Sequence, residues 1–353
     1  MSMQKIVQAR LECVRGLLRK NKVSAWLITD RLDQFYLSGF SFYPGEAVFV
    51  IHPKGMTCFI RELYVESFSK FAPYLEVIGC DTDRLGAAIA YLKKKKISRA
   101  GFDAAKETYL SGKQMRTAGL VELPSLISRL RETKDSDELK KMRQANRIAY
   151  LAYEYVKPRI KTGMMECEVA SMLEQFMRMQ GAWATSFATI VAFGENAANP
   201  HHETGTRKLK KEDAVLMDYG CIYQGYCSDI TRCWWHGTHV PAEYKKIWKI
   251  VDKARQTGIK AVRPGVPSCQ IDAHARGVIQ AAGYGDYFTH RTGHGVGIDI
   301  HEEPYNSADA KTILREGNTV TVEPGIYLPG KFGVRLEDSL AVSKTGAKIL
   351  TKK

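Results

Sequence analysis

No run of about 18 apolar residues occurs anywhere in the chain, which argues against a membrane-spanning helix. The opening Met1-Ser-Met-Gln-Lys-Ile lacks the charged-then-apolar profile of a signal peptide. The eight cysteines, at 13, 58, 80, 167, 221, 227, 233 and 269, never form a C-x-x-C pair. They read as reduced thiols of a cytoplasmic protein, not as a zinc ribbon or a disulfide framework. Short repeats, heptads and low-complexity tracts are also missing. Acidic residues are scarce relative to basic ones, 38 against 52, for a net charge of +14. Such a surface attracts anions, yet the densest basic run, Lys93–Lys96, closes a helical stretch beginning Leu85-Gly-Ala-Ala-Ile-Ala. Lysines there complement the helix dipole. With no aromatic-interleaved basic stripe beside them, neither nucleic acid nor a membrane is expected as a partner.

What is present is ample core. At 353 residues and 44% apolar composition the chain should form two α/β domains. An amphipathic helix over 10–22 leads into a buried strand from Val23. Strands Ala47–Ile51 and Met56–Ile60 flank the turn His52-Pro-Lys-Gly55. The charged stretch from Arg131, with Asp135 or Ser136 as N-cap, sets the boundary, giving domains 1–130 and 131–353. Helices are expected near 136–158, 166–180, 242–262 and 268–282. A hairpin should pair Val215–Gly220 with Tyr226–Arg232 around Gln224-Gly225, and the C-terminal end is again β.

Acidic residues inside apolar strands mark the chemistry, because a carboxylate facing a sheet interior is costly unless paired or bound to metal. Asp218 lies in Val215–Tyr219, and Asp229 lies on the proposed partner strand. Glu323 ends Thr319-Val-Thr-Val, and Glu337 lies in Gly333-Val-Arg-Leu-Glu-Asp. Singly, each reads as a surface residue. His294 changes the balance, since the glycines beside it in Thr292-Gly-His-Gly remove bulk and permit unusual backbone angles. Four carboxylates and an imidazole suit manganese, cobalt, iron or zinc. Their charge exceeds what one divalent ion balances, so two ions sharing carboxylates are expected. His301, seven residues on, can return to the site only if the chain turns back. His201 or His202 could serve from a turn-rich loop, and spacing does not choose between them.

The segment His290-Arg-Thr-Gly-His-Gly-Val-Gly-Ile-Asp-Ile-His-Glu302 resembles the proline-peptidase signature at every defined position. Met217-Asp-Tyr-Gly with Gly225-Tyr-Cys-Ser-Asp-Ile-Thr-Arg, Val322-Glu-Pro-Gly-Ile-Tyr and Gly333-Val-Arg-Leu-Glu-Asp resemble the other ligand motifs of the creatinase/prolidase/aminopeptidase P family. Gln34-Phe-Tyr-Leu-Ser-Gly-Phe is similar to a segment of its N-terminal domain.

The resemblance implies a pita-bread catalytic domain behind a smaller creatinase-like α/β domain, and a homodimer. It assigns Asp218, Asp229, His294, Glu323 and Glu337 to two divalent metal ions, manganese first, with cobalt or zinc as alternatives. Asp229 and Glu337 would bridge them. Glu323 would also exchange protons, while His201 and His301 would contact substrate and steady the intermediate. Arg335 would orient Glu337, with His290 and Tyr305 nearby. Metal-free creatinase action does not suit a chain with all five ligands, and methionine aminopeptidases usually lack the N-terminal domain. The implied reaction is hydrolysis of the bond preceding proline in peptides. Tyr305 stands where archaeal-type prolidases carry a carboxylate-gripping arginine, which favours an Xaa-Pro aminopeptidase over an Xaa-Pro dipeptidase. Arg315 could supply the missing cation. A non-catalytic peptide- or histone-binding module is the alternative of a different class.

Overall fold

The structure, a computed structural model, describes residues 2–352. They form two compact units, one running to Arg131 and one beginning at Glu132.

In the first unit, helix α1 (Met3–Lys20) starts earlier than the expected residue 10, because Ile6 and Val7 extend the apolar face of Leu11, Val14 and Leu18. The sheet contains β1 (Ala25–Ile28), β2 (Ala47–His52), β3 (Gly55–Ile60), β4 (Glu76–Gly79), β5 (Ala100–Asp103) and β6 (Val121–Leu123), in the order 4-3-2-1-5-6. Helix α2 (Arg31–Ser38) is capped by Asp30, which accepts from the Asp33 N–H, and ends at Gly39 with φ 76°. The Gln34 amide is buried and donates to the carbonyls of Ile28 and Ala47, tying the ends of β1 and β2 together. The lysine run lies where expected: Lys93 and Lys94 form the last turn of the helix Arg84–Lys94.

The second unit opens with α3 (Ser136–Val156). The Asp135 side chain accepts from the N–H groups of Asp137 and Glu138, and Glu138 returns to the Asp135 N–H, a reciprocal cap. Helix α4 (Glu166–Met179) follows, then β7 (Ala184–Thr185) and β8 (Ile190–Phe193). Next come β9 (Asp213–Tyr219), β10 (Cys221–Tyr223), β11 (Tyr226–Cys227) and β12 (Ile230–His236), forming one long hairpin. Its tip is the expected two-residue turn. Gln224 and Gly225 both have positive φ, 48° and 83°, the backbone twist that suits a tight hairpin.

Strand β9 is buried along its whole length, so helices must cover both faces. Val215, Met217 and Tyr219 pack with Ala145, Ile148 and Ala149 of α3 and with Leu173 of α4. Ala214 and Leu216 face the opposite way, onto Tyr244, Ile247 and Val251 of α5 (Ala242–Ala261). Strand alternation puts Asp218 on that second face, at its end.

A second long hairpin follows helix α6 (Cys269–Ala281) and the pair β13 (Gly293–Gly295) and β14 (Glu302–Asn306). It comprises β15 (Thr319–Val322), β16 (Gly325–Leu328), β17 (Phe332–Arg335) and β18 (Asp338–Ser343), with β19 (Gly346–Ile349) at the edge. Val320, Val322, Leu340 and Val342 turn to a core containing Ala261 and Ile271. The odd-numbered residues face the other way, towards the site. This mixed α/β arrangement has the expected pita-bread architecture.

Candidate metal centre

Both long hairpins break at the acidic residues singled out in the sequence. The first ladder is interrupted after Tyr219 and resumes beyond the break in unchanged register. That register sets Asp229 opposite Gly220, so Asp229 and Asp218 share a face as diagonal neighbours. The second ladder breaks at Glu323-Pro324 and Leu336-Glu337 and also keeps its register. Glu323 and Glu337 are therefore directly opposed, a pairing that like charges make unfavourable.

Cross-links between the hairpins bring the four carboxylates together. The Glu337 N–H donates to the Thr231 carbonyl at 3.2 Å, and the Ser339 hydroxyl donates to the Asp229 carbonyl at 2.9 Å. His294 arrives from β13. Its Nε2 lies 3.5 Å from Asp229 Oδ2 and 3.4 Å from Glu323 Oε1. Single donor atoms of Asp229, His294 and Glu337 lie within 4.8 Å of one another.

Glycines 293 and 295 contribute space but no unusual backbone angle, because neither has positive φ. A Cβ on Gly293 would sit 2.2 Å from the Thr321 carbonyl oxygen, and one on Gly295 would sit 2.4 Å from that of Glu302. They let β13 pack between β14 and β15. The signature then folds back as its spacing required, bringing the His294 and His301 ring centroids to 4.4 Å.

The electrostatics fit a cation. Burial, followed by repulsion from Glu337, Asp218 and Glu323, pushes Asp229 well above the carboxylate range. Burial and then Glu323 do the same to Glu337. Burial raises Glu323 to about 8, against the pull of Arg335. One oxygen each of Asp218 and Glu337 is buried without a hydrogen-bond partner, a deficit that a bound cation would satisfy. His294 Nδ1 faces the Gly295 carbonyl at 2.9 Å. With the proton on Nδ1, Nε2 is left as an acceptor, and burial holds the ring neutral by lowering its pKa to about 3. Hard carboxylate oxygens with one neutral imidazole are a donor set for a divalent transition metal.

Arg335 is 3% exposed and has a different partner from the one expected. Its guanidinium donates to Asp218 Oδ2 at 2.6 Å, on the opposite hairpin, and also to Thr231 and Tyr327. Glu337 is instead steadied by the Thr231 hydroxyl at 2.8 Å. The network continues outward: the Tyr327 hydroxyl lies 2.8 Å from His290 Nε2, and His290 Nδ1 lies 2.7 Å from the Arg291 carbonyl. Burial lowers His290 to about 4, so it accepts from Tyr327.

The ten residues that the motif resemblance assigns to the site, His201, Asp218, Asp229, His290, His294, His301, Tyr305, Glu323, Arg335 and Glu337, line one cleft of about 830 Å³. Arg315 does not line it. The two adjacent histidines now separate. His202 Nε2 lies 2.8 Å from Glu166, a fully buried carboxylate that also accepts from the Phe193 and Gly205 N–H groups. Both line the cleft, but His202 is half-buried and tied to the scaffold, while His201 is exposed there. Sequence reasoning missed Tyr327, Thr231 and Arg291. All three lie inside the quoted motifs, so that proximity was the available signal.

Among the described residues no helix is long and apolar enough to cross a membrane. The pattern described as the creatinase/prolidase N-terminal domain matches residues 10–133, and that of metallopeptidase family M24 matches residues 140–344. An uncharacterised peptidase of Bacillus subtilis (strain 168) is 34% identical over 347 residues, covering 97% of both chains. The Xaa-Pro dipeptidase from Bacillus anthracis superposes with a TM-score of 0.93 at 34% identity, covering 98% of each chain. The X-Pro aminopeptidase from Thermotoga maritima MSB8 gives 0.89 at 30% identity, covering 97% of each. With its carboxylate-rich centre and these matches over almost its full length, the chain belongs to metallopeptidase family M24, among the Xaa-Pro peptidases that use divalent metal ions.

Proposed function

We propose that the protein hydrolyses the peptide bond preceding proline and releases the N-terminal residue, using two divalent ions, manganese first among them. The direct opposition of Glu323 and Glu337, within reach of Asp229 and His294, carries this reading. Asp229 and Glu337 would be shared between the ions, Asp218 would hold one, and His294 with Glu323 would hold the other. When bound, the metal supplies a water made acidic enough to attack at neutral pH, together with polarisation of the scissile carbonyl.

The chain's own residues do the rest. Glu323 accepts a proton from the attacking water and returns it to the leaving proline nitrogen. His201 and His301 stand at the cleft to donate hydrogen bonds as charge grows on the carbonyl oxygen. Arg335, clamped by Tyr327, fixes Asp218 in orientation. The preference for proline is supported by the activities named for the Bacillus anthracis and Thermotoga maritima relatives. A cytoplasmic homodimer is part of the same proposal: eight cysteines without a pairing pattern suit reduced thiols, and the resemblance of the motifs implies the dimer.

The test is hydrolysis of Ala-Pro and Ala-Ala by protein stripped with chelator and reloaded with manganese, cobalt or zinc. Metal-dependent release of alanine from Ala-Pro, with little from Ala-Ala, is expected. No hydrolysis of Ala-Pro, nor of the longer Ala-Pro-Gly-Gly, with any of the three metals would refute the reading and favour the peptide-binding alternative.

A further inference from the structure

The cleft described above has a cationic side that the metal chemistry does not use. Among the described residues, two arginines and no lysine line it. Arg335 is buried and committed to Asp218, Thr231 and Tyr327. Arg291 is different: its side chain is exposed, and among the described residues no carboxylate forms an ion pair with it. Its guanidinium carbon lies 4.6 Å from the centroid of the Tyr305 ring, and Tyr305 lines the same cleft. The backbone fixes this pairing, because the Thr292 N–H donates to the Asn306 carbonyl at 3.0 Å. A further tie ends the hydrogen-bond chain from Asp218, since the Arg291 carbonyl faces His290 Nδ1 at 2.7 Å.

An aromatic face beneath a guanidinium holds the planar group while leaving its N–H edge open. That edge matches a carboxylate with two parallel hydrogen bonds. Distance selects which carboxylate. Arg291 lies three residues before His294, at most about 10 Å along extended chain, and its long side chain can fold back towards the ions. In an Xaa-Pro dipeptide the terminal carboxylate lies only about one residue span, ~3.5 Å, from the attacked carbonyl carbon. In a tetrapeptide it lies roughly three spans away.

We propose that Arg291, steadied on the Tyr305 ring, reads the C-terminal carboxylate of the substrate and makes Xaa-Pro dipeptides the preferred substrates. Tyr305, taken alone, pointed to an aminopeptidase because it replaces an arginine. In the structure it supports one instead. The inference rests on the peptidase reading above and adds to it the length of the substrate.

Three substrates separate the two claims: Ala-Pro, Ala-Pro-amide, which differs only in lacking the terminal charge, and Ala-Pro-Gly-Gly. The manganese-loaded wild-type protein is expected to favour Ala-Pro over its amide in kcat/KM by about 10- to 100-fold, the range of a charge-assisted hydrogen bond. In Arg291→Gln this ratio should collapse towards one, chiefly through a higher KM for Ala-Pro. Arg291→Lys, which keeps the charge but loses the fork, should retain an intermediate ratio. Melting temperature and metal content of each variant report whether the scaffold is intact. Equal wild-type rates on Ala-Pro and its amide would overturn the role of Arg291 while leaving the peptidase reading in place. So would an equal fall on all three substrates in Arg291→Gln. Failure of the wild-type protein to cleave any of the three would overturn the peptidase reading itself.

Discussion

Replacing Glu323 by glutamine should strengthen the metal-free protein and weaken its response to metal. The Glu323 carboxyl titrates at about 8 in the folded protein against an ordinary 4.5. At pH 7 keeping it protonated spans about 2.5 pH units at 1.36 kcal/mol each, roughly 3 kcal/mol at most. A carboxyl raised in this way contributes stability that is fully present below about pH 4.5 and is lost as pH rises through about 8. Glutamine has the shape of the protonated acid and no such dependence. The variant should therefore match wild type near pH 4.5 and exceed it by about 3 kcal/mol at pH 7. For a unit of this size that is roughly 6–12 °C in melting temperature. Thermal melts in chelator at the two pH values measure the difference. Adding manganese should raise the wild-type melting temperature strongly and the variant's much less, because an ion that binds only the native state stabilises by its affinity. A variant less stable than wild type in chelator, or equally stabilised by manganese, would refute the picture of opposed carboxylates awaiting cations.

Further outcomes follow from the same geometry. Arg335→Met, which frees Asp218, should lower metal affinity about 10- to 100-fold, read by calorimetric titration, and Tyr327→Phe should do so less. His301→Ala and His201→Ala should each lower kcat for Ala-Pro by about 10²- to 10³-fold if they serve the developing oxyanion; a change confined to KM would assign them to binding instead. Gly295→Ala forces a Cβ against the Glu302 carbonyl oxygen and should cost about 1–3 kcal/mol in chemical denaturation. Lys134 and Glu302 form an ion pair at 2.5 Å with the lysine head buried, so Lys134→Met should cost about 1–3 kcal/mol in chemical denaturation by removing that charge-assisted bond.

The ligand types and their order were legible in the sequence because acids inside apolar strands and a glycine-flanked histidine conflict with ordinary burial. The bend returning His301 to His294 was legible too, since no extended path satisfies that spacing. The opposition of Glu323 to Glu337 was not, because a one-residue change of register moves a side chain to the other face. Only the paired strands fix that register. Arg335 was drawn to Glu337 by sequence proximity, whereas its partner Asp218 lies 117 positions away. The choice between His201 and His202 depended on Glu166, a carboxylate with no local motif to mark it. Arg291 stood within the most informative segment of the chain, yet its meaning needed Tyr305 beneath it, a contact made by the β13–β14 turn-back.

The most direct test of the central claim is a crystal structure of manganese-loaded protein with anomalous scattering recorded at the metal edge. Two peaks among Asp218, Asp229, His294, Glu323 and Glu337, with Asp229 and Glu337 touching both, are predicted. No peak among these five residues, or a metal bound elsewhere in a protein that hydrolyses Ala-Pro, would contradict the account.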